Sequence, residues 1–190
     1  NRFYSLERAT AMANLHFCEH SSRIDGFRIG KLGDANEESI LGRLSHDTVG
    51  LNTLAAKSGS GLLYYQEACR YWAKAGDRLP RFRRNGKQIE PPHGRTIHFV
   101  TKKAAAFAAC LLNSSLFYWF YSAFSDCEHI NDGLVRAFPA PKNWESIDWL
   151  IKSSELQKSL SANATRKSIT TKQGHVIEYD ELNGGASKDA

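Results

Sequence analysis

Leu111-Leu112-Asn113-Ser114-Ser115-Leu116-Phe117-Tyr118-Trp119-Phe120-Tyr121-Ser122-Ala123-Phe124-Ser125-Asp126-Cys127-Glu128-His129-Ile130-Asn131 is the stretch whose reading decides the fold. Six of the eight residues from Phe117 to Phe124 are aromatic, and a polar cluster of Ser125, Asp126, His129 and Asn131 follows them directly. Residues 104–124 carry no charge, and a membrane helix needs about 20 apolar residues. Asn113, Ser114 and Ser115, however, lie at the centre of that run. Such side chains compete for backbone hydrogen bonds and favour helix caps. The stretch therefore predicts two buried helices, the second starting near Ser114 or Ser115, and no membrane span. Ser125, Asp126 and His129, with Asn113 before them, then read as structural turn residues, since a Ser-Asp turn uses the same residue types as a catalytic cluster. A hydrolase using Asp126 and His129 stays open as an alternative, because a triad is defined by geometry and not by spacing.

Working outward, residues 101–112 predict a helix rich in alanine, and residues 96–100 a strand. Residues 62–65 read as a strand after the Ser58-Gly59-Ser60-Gly61 breaker. Residues 37–44 predict a helix capped at Asn36, and residues 51–57 a second short helix. Phe27, Ile29 and Leu32, set among Gly26, Gly30 and Gly33, suggest strands joined by tight turns. Residues 77–94 hold three prolines and two glycines among many arginines and read as a loop or irregular hairpin. Residues 144–160 predict a helix, and 176–179 a last strand. The fold class is α+β: small mixed sheets with packed helices, residues 102–162 mainly helical. Residues 1–182 form one domain, and 183–190 a loose Gly/Ser-rich tail.

The chain has 190 residues with a net charge of +5, enough length to bury a core without staples. It begins at Asn1 with no charged-then-apolar leader, which reads as a piece of something longer. Cys18, Cys69, Cys110 and Cys127 form no C-x-x-C pair, so reduced thiols and a cytoplasmic location are expected. His16, Cys18 and His20 alternate as metal ligands do, but no fourth ligand is apparent and no metal is expected. Gly59-Ser60-Gly61 lacks the third glycine of a dinucleotide fingerprint, because Tyr64 stands there.

The charge is uneven. Residues 64–103 contain ten Lys or Arg against three Asp or Glu. A local basic excess is the electrostatic footprint of a polyanion partner. Tyr64, Arg70, Tyr71, Trp72 and Lys74 interleave aromatics with cations, which suits phosphates and base faces together. Arg81, Arg83, Arg84 and Lys87 follow, with Asn85 and Gln88 as amides able to read adenine. These residues, Gln88 apart, are the candidate DNA contacts.

Two segments together resemble a family. Tyr64-Tyr65…Arg70-Tyr71-Trp72-x-Lys74-Ala75 and Leu112-Asn113-Ser114-Ser115-Leu116-Phe117-Tyr118-Trp119…Ser125-Asp126-Cys127-x-His129 are similar to the C-terminal region of adenine-specific DNA methyltransferases of type II and type IIG restriction–modification systems. Ile177-Glu178-Tyr179-Asp180…Ser187-Lys188 is similar to the approach to that family's C-terminus. The resemblance implies a target-recognition domain that binds double-stranded DNA, with no catalytic residue of its own. The family's Asn-Pro-Pro-Tyr/Phe motif is absent, since Pro91-Pro92 stands between Glu90 and His93. S-adenosylmethionine and the methyl transfer are therefore expected in an upstream methylase domain of the same protein. An RNA-binding or protein-interaction module is the alternative from a different class.

Overall fold

The structure is a computed structural model that describes residues 10, 13, 23–24, 28–69 and 72–185. The fold is α+β, with small antiparallel sheets and five α-helices among these residues. A short pairing of β1 (Arg23–Ile24) with β2 (Arg28–Ile29) comes first. Helix α1 (Ala35–Ser45) follows, then β3 (Thr48–Gly50), β4 (Ala55–Ala56), β5 (Gly61–Gln66) and β6 (Ala75–Gly76). The hairpin β7 (Phe82–Arg84) and β8 (Lys87–Gln88) leads to β9 (Gly94–Phe99). Helices α2 (Lys102–Leu112), α3 (Ser115–Phe124) and α4 (Asp132–Ala137) precede β10 (Pro139–Pro141) and α5 (Trp149–Ala162). The chain closes with β11 (Thr165–Thr170) and β12 (Val176–Glu181).

Two four-stranded sheets organise the molecule. The inner one has the order β4-β9-β5-β6 and the outer one β11-β12-β7-β8. Strand β5 alternates faces, as a pleated strand must. Leu63 and Tyr65 are fully buried on one of them. Helix α2 packs there because its alanines, Ala104 to Ala106 with Ala108 and Ala109, let it approach closely. The approach is tightest at Gly61, where a Cβ would stand 2.2 Å from the Thr101 carbonyl oxygen and 2.9 Å from Ala105 Cβ.

The aromatic stretch forms two helices, as its polar break predicts. Asn113 caps the end of α2, and its Nδ2 donates to the carbonyls of Ala109 and of Ala75 on β6. Ser114 caps α3, its hydroxyl accepting from Phe117 N–H at 3.2 Å. The two helices bend by 71° at this break, and among the described residues no single helix is long and apolar enough to cross a membrane. Phe117 and Phe120 are fully buried and meet Phe138 edge-on, with ring centroids 5.3 and 4.9 Å apart.

Several local expectations are corrected. The cap of α1 is Asp34, whose carboxylate accepts from the N–H groups of Asn36 and Glu37. Residues 51–57 are a 3₁₀ turn (Leu51–Thr53) and then β4, because Ala55 and Ala56 complete the inner sheet against Phe99 and His98. Leu32 lies outside any strand. The helix expected from residue 144 begins at Trp149, where Asp148 caps it. Helix α4 and strand β11 have no counterpart in the sequence reading. Within the tail, Gly184 packs against the Trp72 ring, and residues 186–190 lie outside the described ones.

Candidate nucleic-acid interface

The basic segment at residues 77–94 is held by sheet pairing. Asn85 and Gly86 both take positive φ, 50° and 78°, so they form the tight turn that an Asn-Gly pair favours. Its first strand, β7, joins β12 at Phe82↔Tyr179, Arg83↔Glu178 and Arg84↔Ile177. Asn85 locks this register: its N–H donates to the Val176 carbonyl, and its Oδ1 accepts from Val176 N–H at 2.9 Å. Its Nδ2 lies 3.1 Å from His175 Nδ1. The Gln88 amide donates to the Pro80 carbonyl at 2.9 Å. Both amides expected to read adenine are thus engaged in the protein's own hydrogen bonds.

The register also sorts the charges, because directly paired residues share a sheet face. One face of the outer sheet carries Arg83, Arg166, Glu178 and Asp180. Two of its arginines are paired: Arg166 Nε lies 3.4 Å from Asp180, and Arg81, just before β7, lies 3.4 Å from Glu178, while Arg83 has no ion pair among the described residues. The opposite face carries Lys87, Arg84 and Lys167 beside Ile177, with Phe82 and Tyr179 stacked at 6.2 Å. Among its strand positions the only carboxylate is Glu181, 3.5 Å from Lys167. Arg84 and Lys87 are exposed and have no ion pair among the described residues. The two hairpin turns stand at the same end of the sheet, so Lys172 joins Arg84 and Lys87 there. No Asp or Glu occurs in residues 78–89 or 156–177, the segments that build this end. No strand of the outer sheet contributes a buried residue, so it stands outside the core.

Between the two sheets lies a cleft of about 410 Å³, lined among others by Tyr64, Lys74, Arg81, Phe82 and Tyr179. Tyr64, Lys74 and Arg81, selected from sequence for their chemistry, thus converge. Trp72 is half-buried against Gly184, and Arg83 has its Nε buried without a partner. Arg70 and Tyr71 lie outside the described residues. Arg95, paired with Tyr65 and so on the face of β9 away from Tyr64, is tied to Glu67 at 2.7 Å, which holds the Glu67 carboxyl below its usual range.

The cluster after α3 is a turn. Ser125 Oγ donates to the Tyr121 carbonyl and accepts from Cys127 N–H. Asp126 Oδ1 accepts from the N–H groups of Glu128 and His129 at 2.9 and 3.2 Å. Those amides hold its carboxyl below the usual range. His129 pairs by its backbone with Ala68, anchoring the turn beside β5, and all three of Asp126, Cys127 and His129 are exposed. Among the described residues no group of three or more His, Cys, Asp or Glu could hold a metal ion. His16, Cys18 and His20 lie outside those residues.

The sequence reading missed Lys167, Lys172 and Tyr179 as members of the basic face. The available signal was the acid-free run of residues 156–177 with its Thr-Arg-Lys-Ser-Ile-Thr strand pattern. No family model, curated protein or solved structure matches the chain.

Proposed function

We propose that the chain is a sequence-specific recognition module for double-stranded DNA, part of an adenine-specific DNA methyltransferase of a restriction–modification system. The supporting observation is the segregation of charge on the outer sheet. Carboxylates pair with Arg81 and Arg166 on one face, while Arg84, Lys87 and Lys172 stand without carboxylates at the far end. Phosphate contacts by such cations supply affinity and register, and base contacts supply sequence. The aromatic-break motif supports the family reading. Methyl transfer from S-adenosylmethionine is assigned to an upstream domain of the same protein, acting in the cytoplasm. This chain's part is to hold the duplex in register.

The test is duplex binding by the complete protein across a salt series. Replacing Arg84, Lys87 and Lys172 together by Ala is expected to lower the slope of log affinity against log salt by up to about 2.7, or about 0.9 per lost phosphate contact. An unchanged slope and affinity would overturn the assignment.

A further inference from the structure

The cleft between the sheets has chemistry that duplex contact leaves unused. Its volume, about 410 Å³, falls in the range of roughly 300–1,000 Å³ typical of small-molecule pockets. A duplex, whose major groove alone is about 12 Å wide, does not enter it. Tyr64, Phe82 and Tyr179 supply aromatic walls, and Pro91 and Pro92 a stiff rim. Tyr64 is only 6% exposed, and burial pushes its phenol up to about 12, so its hydroxyl stays protonated at neutral pH. It donates to Gln66 Oε1 at 3.0 Å, and Gln66 Nε2 donates to the Pro92 carbonyl at 3.3 Å. That chain of hydrogen bonds fixes one wall.

The cations here are not neutralised by the cleft's own acids. Lys74 has no carboxylate partner among the described residues. Arg81 reaches Glu178 through Nη2 alone, and its Nε is buried without a partner. Asp180 and Glu181 also line the cleft, but Arg166 and Lys167 of β11 engage them. Flat apolar walls beside an unpaired lysine and an arginine bound through one nitrogen only suit a ligand that is aromatic at one end and anionic at the other.

We propose that this cleft binds one nucleotide, its base against Tyr64, Phe82 and Tyr179 and its phosphate on Lys74 and Arg81. The ligand comes either as a free mononucleotide or as a single nucleotide everted from a bound strand. The cleft is separate from the duplex-binding cations at the far end of the outer sheet, and only the everted-nucleotide case rests on that duplex reading.

The full chain is titrated calorimetrically with each of the four deoxynucleoside monophosphates, and by fluorescence with a duplex carrying a fluorescent adenine analogue opposite an abasic site. Saturable single-site binding of at least one mononucleotide, or a fluorescence rise, is expected. A rise assigns an everted nucleotide, whereas mononucleotide binding without a rise assigns the free species. Lys74→Ala is expected to weaken binding roughly tenfold and Lys74→Arg to retain most of it, as a charge-assisted contact requires. Tyr179→Leu, which keeps apolar bulk but loses the flat face, should weaken it independently, and Arg84→Ala should not. The proposal is overturned if neither probe gives a signal, or if folded Lys74→Ala and Tyr179→Leu both bind as the parent does. Either failure would leave the salt dependence of duplex binding unchanged, so the two readings fail separately.

Discussion

A single carboxylate shows how the cluster after the aromatic helix works. Asp126 spends its Oδ1 on the amides of Glu128 and His129, which lets the chain turn through Cys127 at a φ of 62°. Because those amides favour the ionised form, the folded-state pKa lies below the unfolded one. The resulting stability is present above the unfolded pKa and is lost as pH falls through the folded one. Thermal melts between about pH 3 and pH 7 test this, given an ordinary carboxyl pKa near 3.9. Asp126→Asn keeps an acceptor oxygen but no charge, so its deficit against the parent should shrink toward the acid end. A constant deficit across that range would show that the charge contributes nothing. The turn role of Ser125, Asp126 and His129 was legible in the residue types, but the particular amides that Asp126 holds were not, because they depend on the backbone path through Cys127.

At the scale of elements, two glycines with open surroundings make opposite predictions. Gly86 has a φ of 78° and nothing within 4 Å of a built Cβ. Gly86→Ala therefore meets no neighbour but forces the left-handed region, a cost of roughly 1–2 kcal/mol. Gly42 sits in helix α1, also with nothing within 4 Å. Gly42→Ala should stabilise by about 0.4–1 kcal/mol, since it removes freedom from the unfolded chain only. Urea unfolding of both variants measures the pair. In Gly86→Ala, faster hydrogen exchange at the Asn85 and Val176 amides would locate the loss in the outer sheet. The segment was legible only as a loop or irregular hairpin, and its pairing with β12 was not legible, since the partner strand lies some 90 residues further on.

Across the whole molecule, arginines that look alike in sequence have different duties. Arg81 faces Glu178 with only 24% of its side chain exposed, whereas Arg84 is exposed at the far end. Arg81→Ala leaves a half-buried carboxylate without its partner and should lower stability by about 1 kcal/mol, while altering the salt slope of duplex binding less than Arg84→Ala does. Arg84→Ala should leave the melting temperature within error and reduce the slope by about 0.9. Equal effects of the two substitutions on both measurements would mean that the segregation of charge has no functional meaning.

The sequence by itself determined the local features: the split of the aromatic run at Asn113 to Ser115, the alanine helix, strands β5 and β9, and a basic excess in residues 64–103. Each depends on neighbours a few positions apart, through caps, periodicity and turn chemistry. Only the tertiary structure decided which cations are spent. The strand register sets Glu178 and Asp180 against Arg81 and Arg166, engages the Asn85 amide with Val176, and brings Lys172 to the same end of the sheet as Arg84. Those outcomes depend on which strands pair across the chain, and a linear order of residues does not carry that information.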